Sequence, residues 1–246
     1  MRCADDGYYI VKFQNNPQGT RILANELLGT RLAARLGLPT PVAAVIEVRA
    51  DLIEHTEDLV IQLGRGRELC RSGLQFGSRY PGAPAENAVY DFLPDEQLRA
   101  VINIADFCGM LVFDKWTCNT NGRQAIFFRS KNETCHSALM IDQGFCFNAV
   151  EWNFPDAPLR GLYARHRVYE SVRGMESFEP WLSRIERNID HAFFDEVIAE
   201  IPPEWYGFES EALERMIEHL LRRRKLVPEL IISSWKCSAQ PFPNWK

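Results

Sequence analysis

Phe113-Asp114-Lys115-Trp116-Thr117-Cys118-Asn119-Thr120-Asn121-Gly122-Arg123-Gln124 stands between a long apolar run and a pair of β-branched, aromatic segments. The run over 95–113 has the composition of a mostly buried helix, and 114–122 is polar and aperiodic, as a loop is. Residues 124–128 and 138–141 predict two strands around the turn Ser130-Lys131-Asn132-Glu133, a hairpin that ends in Met140-Ile141-Asp142-Gln143-Gly144. Asp114 and Asn119, spaced D-x-x-x-x-N, therefore fall in a loop after a buried helix, and Asp142 falls where the hairpin ends.

Upstream, Tyr8-Tyr9-Ile10-Val11-Lys12-Phe13 predicts a strand closed by Asn15-Asn16-Pro17. A helix follows over 18–36, stopped by Gly37 and Pro39. Strands are expected over 42–48, 59–63 and 74–76, with Gly64-Arg65-Gly66-Arg67 a polar loop and Gly77-Ser78-Arg79-Tyr80-Pro81-Gly82 a turn-rich link. Downstream of Leu159 helices dominate, over 160–171, 177–188, 191–200, 209–224 and 228–236, with Pro202-Pro203 as a break. The expected organisation is α+β and bilobal. A strand-rich N-terminal lobe spans 1–80, and a helical C-terminal lobe with the embedded hairpin spans 81–246.

The 246 residues are 46% hydrophobic and 25% charged, which excludes disorder and low complexity. A net charge of −5 argues against a general nucleic-acid binder. No apolar run approaches the roughly 20 residues of a membrane span. Seven cysteines, an odd number without C-x-x-C, point to a reducing, cytoplasmic setting. Cys135-His136 lacks a second half at zinc spacing.

Five residues form an ordered constellation: Lys12 in a strand, Glu26 in the next helix, Asp114 and Asn119 in the loop, and Asp142 after the hairpin. Phosphoryl transfer from a nucleotide uses these groups. A strand lysine neutralises phosphates, a helix glutamate fixes that lysine, a loop aspartate orients the acceptor hydroxyl, and an asparagine and a second aspartate hold magnesium. D-x-x-x-x-N alone is weak, because twelve Asp and twelve Asn supply roughly half an occurrence by chance. Lys12 alone equally fits an outward-facing strand lysine, and Asp142-Gln143-Gly144 a plain turn. Helical projection adds weight. At about 100° per residue Glu26 lies between Ile22 and Leu23 and near Leu27, Thr30 and Ala33, with Arg21, Arg31 and Arg35 on the opposite arc. A carboxylate in an apolar arc is costly unless paired, and Lys12 is its natural partner.

Tyr8 to Gln18, Asn25-Glu26-Leu27, Phe113 to Gln124 and Met140 to Gly144, four blocks in order, resemble the HipA-like kinase family over nearly the whole chain to about residue 200. The resemblance implies a two-lobed protein-kinase-like fold, ATP and Mg2+ as cofactors, Lys12 as phosphate ligand, Asp114 as catalytic aspartate, and Asn119 and Asp142 as magnesium ligands. It implies a hydroxyl acceptor, a protein Ser or Thr side chain or a small molecule. Val112-Phe113-Asp114 stands where ordinary protein kinases carry His-Arg-Asp. The eleven residues before Lys12 contain one glycine and supply at most one strand of a phosphate-covering hairpin, so either the start is truncated or the phosphates are held without that cover. Two rivals follow: a pseudokinase that binds nucleotide or protein without turnover, and a small-molecule or lipid kinase.

Arg222-Arg223-Arg224-Lys225 reads either as an anion or RNA patch or as a solvated helix C-terminus, where cations suit the dipole. Trp152, Trp181, Trp205 and Trp235 are expected to pack the helical lobe. Cys118, beside Asn119, reads as a filler or as an oxidation-sensitive thiol.

Overall fold

Helix α1 (Arg21–Arg35) organises the N-terminal half. It buries eleven of its fifteen residues, Glu26 and Asn25 among them, so it is an interior helix and not a surface one. The left-handed Gly37 (φ 73°) ends it, with the Leu38 N–H returning to the Ala33 carbonyl. Against it lies a three-stranded antiparallel sheet in the order β1 (Tyr9–Lys12), β5 (Gly73–Arg79), β2 (Ala43–Val48). The register pairs Lys12 with Phe76 and Ala43 with Ser78. The computed structural model describes residues 1–64 and 66–246.

Between β2 and β5 come the short helix α2 (Ala50–Glu54) and the antiparallel strands β3 (Val60–Leu63) and β4 (Gly66–Leu69). Gly66 and Arg67, expected in a loop, thus belong to a strand; Arg65 lies outside the described residues. Residues 1–8 turn back on β1. Arg2 bridges Tyr8, and the Tyr9 N–H reaches the Met1 carbonyl at 2.8 Å.

A second three-stranded sheet, in the order β6 (Asn87–Tyr90), β7 (Gln124–Ser130), β8 (Ser137–Ile141), contains the expected hairpin. Strand β6 was not expected. Its four residues follow a Pro- and Gly-rich stretch and are held by pairing with β7, some forty residues on.

The expected single helix over 95–113 is two pieces. Helix α3 (Asp95–Arg99) stops at Ala100, and α4 runs Asp106–Thr117. The break lets the Ile102 N–H reach the His136 carbonyl and Asn103 grip both polar groups of Ala138. Helix α4 continues four residues past the expected end because Phe113, Trp116 and Thr117 are buried, with the Trp116 indole donating to the Leu220 carbonyl at 2.8 Å. Left-handed Cys118 (φ 50°) terminates it.

The expected helix over 160–171 is not formed. Gly161 is left-handed (φ 76°), and only a 3-10 turn, His166–Tyr169, follows. Helices α5 (Glu179–Asn188), α6 (His191–Glu200), α7 (Ser210–Arg223) and α8 (Val227–Trp235) complete the chain. One apolar cluster runs from Leu23, Leu27 and Leu32 of α1 through Phe113 and Trp116 of α4 to Leu220 and Ile231, so the two halves share a core. Within Arg222 to Lys225, Arg223 is buried against Asp156 and the Trp116 carbonyl, and Arg224 binds the Ile189 carbonyl. Half of that basic run therefore fixes helix ends. Trp205 is fully buried, Trp181 nearly so, and Trp235 stacks on Trp245 at 5.0 Å.

Candidate active site

The register of β1 turns the Lys12 side chain toward α1, where the buried arc of the helix presents Glu26. The Lys12 ammonium donates to Glu26 Oε1 at 2.5 Å and to Asp142 Oδ1. Burial alone would push the Lys12 ammonium down; the Glu26 and Asp142 carboxylates outweigh it and hold the group above its ordinary range. The second oxygen of Glu26 accepts the Gln143 N–H at 2.9 Å. Glu26 thus joins the lysine strand to the turn that carries Asp142. The expected Lys12–Glu26 pair forms, and Asp142, 130 positions from Lys12, joins it.

They line a cleft with two compartments. The inner one, about 240 Å³, is an apolar slot between β1, β5 and the second sheet, walled by Ile10, Pro41, Phe76, Val89, Ile126 and Met140. Lys12, Glu26 and Asp142 line it as well. The outer compartment, about 220 Å³, is polar, and Asn121, Gln124, Gln18 and Phe145 join Lys12, Glu26 and Asp142 there. Residues 1–9 line neither compartment.

Asp114 and Asn119 do not line the cleft. Because α4 runs on to Thr117, Asp114 lies in a helical turn whose neighbours are all buried, and its side chain is wholly enclosed. Both carboxylate oxygens are engaged. Arg123 Nε donates to Oδ2 at 2.8 Å, Arg123 Nη2 donates to Oδ1, and Asn119 Nδ2 donates to Oδ1 at 2.9 Å. The Gly161 backbone closes over the pair, and a Cβ there would stand 2.3 Å from Asp114 Cβ. Asn119 is equally committed, its Oδ1 accepting the Asn121 N–H at 3.1 Å. Asp114, expected in the loop, is therefore corrected to the last turns of α4, whereas Asn119 does lie in the loop that follows; both are buried in a network one layer behind the cleft wall.

Arg123 connects that layer to the cleft. It is fully buried, and its remaining N–H groups reach the Ile141 carbonyl at 2.7 Å and Gln143 Oε1 at 2.8 Å, on either side of Asp142. Burial would lower its pKa, but Asp114 holds it above the ordinary arginine value. Nearby, burial pushes the Lys115 ammonium down to about 8, with Asp114 and Asp156 opposing it only in part. Its Nζ donates to the carbonyls of Ala157 and Pro158.

The sequence matches the HipA-like kinase family over residues 1–227. The chain belongs to that family. Two of the solved structures that share its fold are kinases aligned over nearly all of this chain. One is the Helicobacter pylori proinflammatory kinase CtkA, with a TM-score of 0.55 and 15% identity over 94% of this chain and 90% of that one. The other is the Golgi casein kinase, with a TM-score of 0.51 and 9% identity over 96% of this chain and 70% of that one. At these identities the likeness carries the fold, a two-lobed kinase-like architecture. No curated protein matches the sequence.

In this HipA-like kinase the residues that sequence reasoning missed are Asn25, Asn121, Arg123, Gln124 and Gln143. Asn121, Arg123 and Gln124 lie inside the quoted block, but nothing in their type separates a cleft amide from a surface one. Asn25 carried a readable signal, since it adjoins Glu26 on a helix whose neighbouring positions are apolar. Its buried amide donates to the carbonyls of Gly144 (2.9 Å) and Ala149 (2.8 Å) and accepts the Trp152 indole at 2.9 Å. The segment it grips is strained. Asp142, Phe147, Asn148, Ala149 and Trp152 all have φ between 49° and 59°, at a cost of about 1 kcal/mol or more each.

Proposed function

We propose that this HipA-like kinase binds ATP with Mg2+ in the cleft and transfers the γ-phosphoryl group to a hydroxyl, the acceptor class being a protein Ser or Thr side chain. The observation that carries this reading is the Lys12 ammonium, held between Glu26 and Asp142 at the junction of an apolar slot and a polar compartment. The slot suits a purine and the polar compartment its phosphates. Lys12 neutralises the phosphates, and Glu26 fixes Lys12.

The donors facing the polar compartment are compatible with magnesium. Asp142 offers a carboxylate and Asn121 and Gln124 offer amide oxygens, an all-oxygen set with few charges, which suits an ion that keeps waters and phosphate oxygens. No group of three His, Cys, Asp or Glu able to hold a metal occurs among the described residues, so the ion is expected to arrive with the nucleotide. When bound, it would neutralise charge developing on the phosphates.

Glu26 and Asp142 are the only carboxylates lining the cleft among the described residues, and both are bonded to Lys12. Asn121 therefore orients the acceptor hydroxyl as an amide, without taking its proton. Phosphoryl transfer tolerates this, because its loose transition state depends mainly on positioning and charge neutralisation. Slow turnover is the consequence. The same observation favours one second reading, a nucleotide-binding module without turnover.

Calorimetric titration with ATP, with and without Mg2+, tests the site. Mg·ATP should bind wild type, and Lys12→Met and Asp142→Ala should each bind at least about tenfold more weakly. Unchanged affinity in both variants would refute the assignment. Single-turnover transfer from γ-labelled ATP to Ser/Thr peptides then separates a slow kinase from a binding module.

A further inference from the structure

Residues 142–152 follow a strained path. Five of them sit in the left-handed region without being glycine, and the segment's own backbone bonds are few: Cys146 N–H to Gln143, Ala149 N–H to Cys146 and Glu151 N–H to Asn148. Helix α1 supplies the largest share of the bonds that fix the segment, beside the Thr120 N–H to the Phe145 carbonyl and Arg123 to Gln143 Oε1. Asn25, 1% exposed, gives its amide protons to Gly144 and Ala149, with Cys146 O a third acceptor at 3.2 Å, and its Oδ1 takes the Trp152 indole proton. The next residue, Glu26, takes the Gln143 N–H and the Lys12 ammonium. Contact between α1 and the two residues after Asp142 is flush. A Cβ on Gly144 would meet Ile22 at 2.7 Å, and one on Gly29 would meet Gln143 at the same distance.

We infer that Asn25 is a positioning residue that clamps the segment following Asp142 to helix α1, so that Asp142 stands beside the Lys12–Glu26 pair before any nucleotide binds and without covalent modification of the segment. Adjacent residues on one buried helix then set both halves of the site, Asn25 through 144–152 and Glu26 through Lys12 and Gln143. The functional consequence rests on the nucleotide site proposed above, but the clamp itself does not.

Two measurements on Asn25→Asp and Asn25→Ala separate these levels. Hydrogen exchange read by mass spectrometry should show amides within 144–152 exchanging at least about tenfold faster, with β7 and α7 unchanged. In calorimetry the Mg·ATP affinity should fall about 10- to 100-fold, as for residues that orient a metal ligand, while metal-free ATP affinity falls much less. Unchanged exchange in a folded variant would overturn the clamp. An equal loss with and without metal would reduce Asn25 to a general structural residue and also overturn it. If wild type binds no nucleotide, the functional reading fails and exchange alone decides the clamp. If both Asn25 variants fail to fold, Trp152→Phe, which removes one bond of the clamp, decides it. Faster exchange at 149–152 supports the clamp and unchanged exchange overturns it.

Discussion

Asp114→Asn should behave as a stability variant and not as a catalytic one. The Asp114 and Arg123 side chains are both wholly buried, and the carboxylate meets two guanidinium N–H groups and the Asn119 amide. Removing the negative charge leaves Arg123 uncompensated in the core, which costs about 3–5 kcal/mol. The lower end applies here, because Arg123 keeps the Ile141 carbonyl and Gln143 Oε1, and the new amide oxygen still accepts one bond. About 3 kcal/mol is a large share of a typical domain stability of about 5–15 kcal/mol. In a chain of this length it lowers Tm by about 6–12 °C. Urea unfolding followed by circular dichroism gives the stability, and Mg·ATP titration well below the variant's Tm gives the affinity, expected within about threefold of wild type. Asp114→Leu combined with Arg123→Met should recover much of the loss, since an apolar pair of similar volume replaces the ions. The reasoning fails if Asp114→Asn unfolds with wild-type stability and yet loses phosphoryl transfer about 100-fold, for then Asp114 would reach the substrate.

Lys12→Met and Glu26→Gln should each weaken Mg·ATP binding, and the double variant should lose less than the sum, because their shared bond is lost only once; strict additivity in calorimetric affinities would contradict the contact. Asn121→Asp places a carboxylate on the cleft wall and should raise the single-turnover transfer rate, by up to about 10²-fold if proton removal limits it. No gain at saturating Mg·ATP would show that a base is not what the site lacks. Lys115 gives a pH signature, since burial lowers its pKa from 10.5 to about 8. Between those values the unfolded chain binds more protons than the folded one, so this residue makes stability rise with pH, by about 3 kcal/mol over the window. The urea-derived stability of wild type relative to Lys115→Met should therefore climb between pH 8 and 10.5, and a pH-independent difference would refute the placement of the ammonium.

Strand β1, helix α1 and the β7–β8 hairpin were legible because their signals are local: alternation, a closing Gly or Pro, and a turn between two β-branched runs. Glu26 was legible because one carboxylate interrupted an apolar arc, and only a partner at Lys12 made that tolerable. Asp114 misled for the converse reason. A charged residue after an apolar run signals a helix end, and the partner that lets Asp114 stay buried, Arg123, lies nine residues further on, across the left-handed turn at Cys118. The division of 95–113 into two helices had the same character, since the break at Ala100 is stabilised by bonds to His136 and Ala138 in another element. Strand β6 depends on β7, and no property of Asn87 to Tyr90 alone marks it.

On the proposed function, the cleft's charges also determine which contact would change when a nucleotide enters. Lys12 faces two carboxylates, so the trio carries one net negative charge, and a polyanion approaching it is repelled until a cation offsets that charge. Lys12 can turn to a phosphate only by loosening one of its partners. The side chain of Glu26 is 3% exposed and that of Asp142 is 30% exposed. Freeing Glu26 would strand a buried carboxylate with only the Gln143 N–H to hold it, at a cost of several kcal/mol. Freeing Asp142 exposes it to water or to a metal ion at far lower cost. The Lys12–Glu26 bond is therefore the one that persists, and Asp142 is the group released. If the cleft takes a nucleotide and a metal ion as proposed, each would favour the other's binding, because a cation on Asp142 would make Lys12 available to the phosphates.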